Sequence, residues 1–263
     1  MKFSSNIPYL GSAVLAAVLA TAPARAAVVA TPQNNDIFLG FRASGNLGAS
    51  TSYLVNLGQY SQFRDLTPGA SISLNSLGDI GADLVATFGA NWSNRNDLFW
   101  GIFGVSNTAN PTVYASRESS APGWSALDQI SRGTTSSNIV SVLQGTNGYQ
   151  GRQATANSAF AVLQPNSDGA SSYNKQVSTG GTNDFGSLST WSSIEGDFGG
   201  GTAGTSLDLY RISSTGVTNP GAFSISNSGV VSFTAAIPEP SSALLGVAGS
   251  LLIVAGRRRR PTH

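Results

Sequence analysis

Apolar residues recur at every second position, or run together briefly, in seven stretches: 37–42, 52–57, 97–105, 112–116, 206–212, 222–226 and 230–235. Alternation predicts a half-buried β-strand, and a short continuous run predicts one covered on both faces. The last two stretches flank Asn227, Ser228 and Gly229, which suit a hairpin turn. In the final stretch Val231, Phe233 and Ala235 fall on one face, with Val230, Ser232 and Thr234 on the other. Helical spacing is rarer. Residues 79–88 set Ile80, Leu84 and Phe88 in one stripe, and residues 124–131 do the same with Trp124, Leu127 and Ile130. Residues 136–143 align Ile139, Val142 and Leu143 behind Ser136 or Ser137 as an N-cap. Between residues 145 and 204 the pattern weakens into Gly, Ser, Asn and Thr around an apolar island at 159–163, so long loops or irregular strands are expected. The expected fold is mainly β with a few short helices, a β-sandwich-like single body domain. No fixed-period repeat points to a solenoid or propeller.

Two segments stand apart from this body. Lys2, the apolar run at 10–20 and the small-x-small triplet Ala24-Arg25-Ala26 have the three parts of a secretory signal peptide, residues 1–26, with Ala27 as the first mature residue. Sec-type export machinery is the implied partner. Near the other end Pro238-Glu239-Pro240 precedes an apolar segment at 243–256, with Ala243, Leu244, Leu245, Val247, Leu251, Leu252, Ile253 and Val254 as its large or apolar residues. Arg257, Arg258, Arg259 and Arg260 follow it. From residue 241 to 256 a helix would reach ~24 Å, short of a hydrocarbon core of ~30 Å unless the first Arg snorkels and the bilayer thins. Four Arg directly after the segment act as a stop-transfer signal and hold that end in the cytoplasm. The expected organisation is a signal peptide at 1–26, an exported body at 27–236 and a sorting segment at 237–263 with a single transmembrane helix.

Charge follows the same division. The body carries eight basic and twelve acidic residues, a net charge of −4, while Lys2, Arg25 and the four terminal Arg hold the positive excess. A nucleic-acid binder needs a basic face to displace counterions from phosphates, so nucleic acid is not an expected partner. The chain has no Cys, and its single His is residue 263, which leaves the body no disulfide, no Cys- or His-based zinc site and no His-dependent triad.

The order Pro-Glu-Pro, short apolar helix, Arg cluster resembles the PEP-CTERM sorting signal of Gram-negative bacteria. The resemblance covers the last 26 residues or so. It implies recognition and processing near Pro238, Glu239 and Pro240 by exosortase, an integral-membrane transpeptidase, after transient anchoring in the inner membrane. It also implies a surface or matrix protein made by bacteria that produce exopolysaccharide. Prolines at 238 and 240 keep the motif extended whatever enzyme meets it. Four body segments, at 37–42, 53–58, 207–211 and 222–234, look like recurring segments of one group of PEP-CTERM proteins, and this implies a shared domain without a known activity.

Candidate chemistry in the body is sparse, and no catalytic residue or cofactor is assigned. Glu195 and Asp197 would share one face of a strand near Trp191, the arrangement a retaining glycosidase uses. A secreted polysaccharide-active enzyme is therefore the alternative to a structural or adhesive surface protein. Calcium is a minor option, with Asn94, Asn96 and Asp97, or Asp184, Glu195 and Asp197, as oxygen donors. Trp92, Trp124 and Trp191 sit beside Ser and Gly and are the candidate carbohydrate contacts, whereas Trp100 lies within an apolar run and is assigned to the core.

Overall fold

A computed structural model describes residues 31–149, 161–177, 184–188, 194–199 and 206–238. The signal segment, the apolar segment at 243–256, the Arg cluster, Glu239, Pro240 and Trp191 lie outside the described residues. Among the described residues no helix is long and apolar enough to cross a membrane.

The strands are β1 (Asp36–Ala43), β2 (Thr51–Gln59), β3 (Ser71–Ser73), β4 (Leu98–Ser106), β5 (Thr112–Glu118), β6 (Ala161–Pro165), β7 (Glu195–Asp197), β8 (Leu207–Ser213), β9 (Gly216–Ile225) and β10 (Val231–Ala235). The α-helices among the described residues are α1 (Ser61–Arg64), α2 (Ile80–Phe88), α3 (Gln129–Thr146) and α4 (Tyr173–Val177). All seven stretches of strand pattern form strands, and the Asn227–Gly229 turn joins β9 to β10, with Gly229 at φ 81°. That φ lies in the left-handed region, which glycine enters without steric cost. Val231, Phe233 and Ala235 face the core as their alternation requires.

The strands make one antiparallel sheet in the order β3-β10-β9-β8-β5-β4-β1-β2-β6, with β7 paired to β4. A sandwich of two sheets was the expectation; the single sheet curls instead. In a flat sheet β2 and β9, five places apart, would be separated by ~24 Å. Yet Phe63, in the helical turn that directly follows β2, packs against Phe223 of β9 and Phe233 of β10, with ring centroids 5.0 and 5.1 Å away. The curl encloses an inner apolar cluster built from alternate residues of β1, β2, β4, β8, β9 and β10, to which α2 adds Ile80, Leu84 and Phe88. The outer face of the central strands holds a second cluster, covered by Ile139, Val142 and Leu143 of α3 and by Tyr173, Phe185 and Leu188. Both faces of β1 are therefore buried along all eight residues. This is why its sequence reads as a nearly unbroken apolar run.

Two helices differ from expectation. Residues 124–128 are not helical; α3 starts at Gln129, where the Asp128 side chain accepts from Ser131 N–H at 2.7 Å. Its buried stripe is Arg132, Thr135, Ser136, Ile139, Val142, Leu143 and Thr146, so the helix extends seven residues before and three residues beyond the predicted 136–143. Polar residues fill the first half of that stripe, and a search for apolar spacing misses them. By contrast α2 fills the predicted 79–88 with Asp79 as its N-cap, whose carboxylate accepts from Ala82 N–H at 2.9 Å.

Candidate functional site

Glu195 lies at the centre of the outer face. The strand β4 is forked: Phe103 to Ser106 pair with β5, while Phe99, Trp100 and Gly101 pair with Asp197, Gly196 and Glu195 of β7. Ser116 holds the fork, because its Oγ accepts from Ile102 N–H at 2.7 Å and reaches the Ile194 carbonyl at 2.5 Å. Glu195 and Asp197 thus fall on one face of one strand, as their spacing predicts.

Their surroundings are specific. Both Glu195 oxygens receive the Arg42 guanidinium, at 2.6 to 3.1 Å, and Oε1 also accepts from the Tyr173 hydroxyl at 2.9 Å. The Glu195 side chain is fully buried, and Arg42 rests over the Phe99 ring, 4.7 Å from its centroid. Tyr173 reaches Glu195 only because two paired residues below it, Gly40 and Gly101, lack side chains. A Cβ on Gly40 would stand 2.7 Å from the Tyr173 ring, and one on Gly101 would stand 2.8 Å from its hydroxyl. Burial, reinforced by Glu195, raises the Tyr173 hydroxyl well above its ordinary value, so it remains a proton donor.

Asp184 completes the cluster. It is 4% exposed, and its Oδ2 accepts from Ile194 N–H at 2.6 Å. Burial and the neighbouring charge of Glu195 push its carboxyl up to about 8, against the opposing pull of that hydrogen bond, Arg42 and Arg117. At neutral pH Asp184 therefore keeps its proton beside the Arg42–Glu195 pair. A general acid or nucleophile must meet substrate. Glu195 instead ties β7 to β1. Asp197, half-buried, accepts from Gly199 N–H at 2.8 Å.

The donors proposed for calcium at Asn94, Asn96 and Asp97 are organised around an arginine. The Arg95 guanidinium donates to the carbonyls of Gly45, Leu47 and Phe88 at 2.8 to 2.9 Å and to both Asp97 oxygens. Asn46 also donates to Asp97 at 2.9 Å, while Asn94 and Asn96 are exposed. Arg95 first, and Asn46 with it, hold the Asp97 carboxyl down at about 2. The carbonyls and carboxylate that a calcium loop would gather are gathered by Arg95. In the second set, Glu195 is taken by Arg42. Among the described residues no group of three or more His, Cys, Asp or Glu side chains is arranged to hold a metal.

Two of the three candidate stacking tryptophans are core residues. Trp92 is 2% exposed and meets Phe198 edge to face at 5.2 Å. Trp124 is 7% exposed, lies under the Arg117 guanidinium and donates its indole N–H to the Ser116 carbonyl at 3.1 Å. A neighbouring Ser or Gly says little about exposure where the chain folds back over the sheet, and neither ring presents a face to a sugar. Trp100 is fully buried, as assigned. Sequence reasoning missed the Arg42–Glu195 pair, whose members are 153 residues apart. Only the isolated Arg in the apolar stretch 37–42 hinted at a buried counter-charge.

At the end of the body, Ala236 N–H bonds to the Pro220 carbonyl at 2.9 Å, and residues 236–238 are exposed. No protein-family model, no curated protein and no solved structure matches the chain.

Proposed function

We propose that this chain is an exported cell-surface or extracellular-matrix protein, sorted through its C-terminal segment. Sec-type machinery carries the body across the inner membrane, and the helix at 243–256 with Arg257 to Arg260 retains the precursor there. Exosortase then processes it near Pro238-Glu239-Pro240. The β-rich body serves a structural or adhesive role in contact with exopolysaccharide. The observation that carries this reading is the tail itself, three elements in fixed order behind an N-terminal signal pattern. The exposure of residues 236–238 supports it, since Ile237 is 74% exposed and a processing enzyme needs an approach to the motif.

The test is the intact mass of the protein recovered from its host's membrane, surface and medium. The expected product lacks residues 1–26 and everything beyond the Pro-Glu-Pro region, and Glu239→Ala accumulates in the membrane with its tail attached. Processing of that variant at the normal site and rate would remove the motif's role.

A further inference from the structure

A cavity of about 260 Å³ opens where the end of β2 and α1 meet the β4–β5 turn and β8. Its floor is Tyr60 and Tyr114, stacked at 4.3 Å and both nearly buried. Burial raises both hydroxyls, Tyr114 to about 12, so neither carries charge at neutral pH. Among the described residues its lining holds two arginines, Arg64 and Arg211, and no carboxylate. Arg64 pairs with Asp65, but both side chains are more than half exposed, a contact worth little and readily exchanged. Arg211 is half-buried and donates to Ser213 Oγ at 2.9 Å; among the described residues it has no ion-pair partner. The cavity is thus a cationic spot on a body of net charge −4.

The walls are held in place. Asn35 occupies the left-handed region at φ 71°, a conformation uncommon outside glycine. Its backbone N–H donates to Val105, its carbonyl accepts from Tyr60 N–H, and its side-chain oxygen accepts from the Tyr114 hydroxyl at 3.0 Å. Gln59 is fixed by its amide bonds to the Asn34 carbonyl and to Asp36. Ser106 and Thr112 line the same space. Two guanidinium groups select an oxyanion. The amides and hydroxyls around them suit a polyol, and the volume is below that of a drug-sized pocket.

The geometry points to a binding site for one carboxylate-bearing sugar residue, of the uronic acid type, with the carboxylate between Arg64 and Arg211. The site is built from body residues alone and stands whether or not the tail is processed.

The probe is sodium glucuronate, titrated by calorimetry into the full-length protein in mild detergent, with glucose, sodium acetate and inorganic phosphate as comparisons. Glucuronate binds at least about tenfold more tightly than glucose or either bare anion. Arg211→Gln weakens it at least about tenfold, the usual scale for loss of one charge-assisted hydrogen bond. Arg64→Gln, on the exposed rim, weakens it less and leaves the urea midpoint unchanged, so it serves if Arg211→Gln fails to fold. Equal binding of glucose overturns the carboxylate's role, and equal binding of acetate or phosphate overturns the sugar's. Unchanged affinity in the folded variants overturns the site.

Discussion

Glu195 is costly to bury and is stable only as half of a pair. Arg42 supplies three hydrogen bonds to it inside the outer cluster. Removing one partner of such a pair leaves an uncompensated charge, a loss of about 3–5 kcal/mol, whereas replacing both with apolar groups is often neutral. Arg42→Met should therefore lower the urea midpoint sharply, and Arg42→Met with Glu195→Leu should recover most of the loss. Additive losses in the double variant would mean that the two side chains act separately. Asp184, eleven residues before Glu195, has the opposite relation to pH from an ordinary paired carboxylate. Unfolded, it ionises near 3.8; folded, it keeps its proton up to about 8. Between those values the folded chain holds a proton that the unfolded chain has released, so this group's contribution to stability falls as pH rises through that window and is level above it. Asp184→Asn keeps an acceptor for Ile194 N–H and has no proton to lose. Its advantage over the parent should be near zero at pH 3.5 and grow to the order of a few kcal/mol by pH 8. Parallel urea midpoints across that range would contradict the assignment. Asp97 runs the other way: with its carboxyl held at about 2, its contribution is present above the unfolded value of 3.8 and fades as pH falls towards 2.

At the level of elements, Gly40 and Gly101 face each other across β1 and β4 so that one aromatic ring can lie flat on the sheet. Gly40→Ala pushes a methyl into the Tyr173 ring and should cost about 1–3 kcal/mol, the usual penalty for overpacking. Gly133→Ala, in α3 with open space around it, should gain roughly 0.5–1 kcal/mol instead. Urea midpoints of the two variants moving in opposite directions would establish that glycine is required at one place and merely tolerated at the other. Elements were legible in the sequence where burial is apolar and local. The β9–β10 hairpin and the Ile80, Leu84 and Phe88 stripe of α2 needed only neighbours a few residues away. The first half of α3 was not, because Arg132 is buried through bonds to the carbonyls of Pro111 and Leu127 and to Asn110, partners that only the fold supplies. The three-residue strand β7 lacks any pattern length can amplify, and it is ordered by Ser116 and Arg42 from distant strands. Glu195 and Asp197 were found as a pair for the right reason, strand periodicity. What the pair is for depended on Arg42, which periodicity does not report.

Across the whole molecule, the curl decides what can be finished when. Among the described residues the edge strand β3 pairs only with β10, over 150 residues later in the chain. Phe63 packs on β9 and β10, and β5 gains its second neighbour from β8. The inner cluster therefore has an open side until β8, β9 and β10 are all present. Contacts so distant in sequence make folding slow, because the loop entropy is spent before any of them form. A chain delivered residue by residue, from a ribosome or through a membrane, would stay pliable for nearly the whole of its delivery. It would lock only when Ala235, three positions before Pro238, had arrived. Compactness and completion of transit would then be a single event.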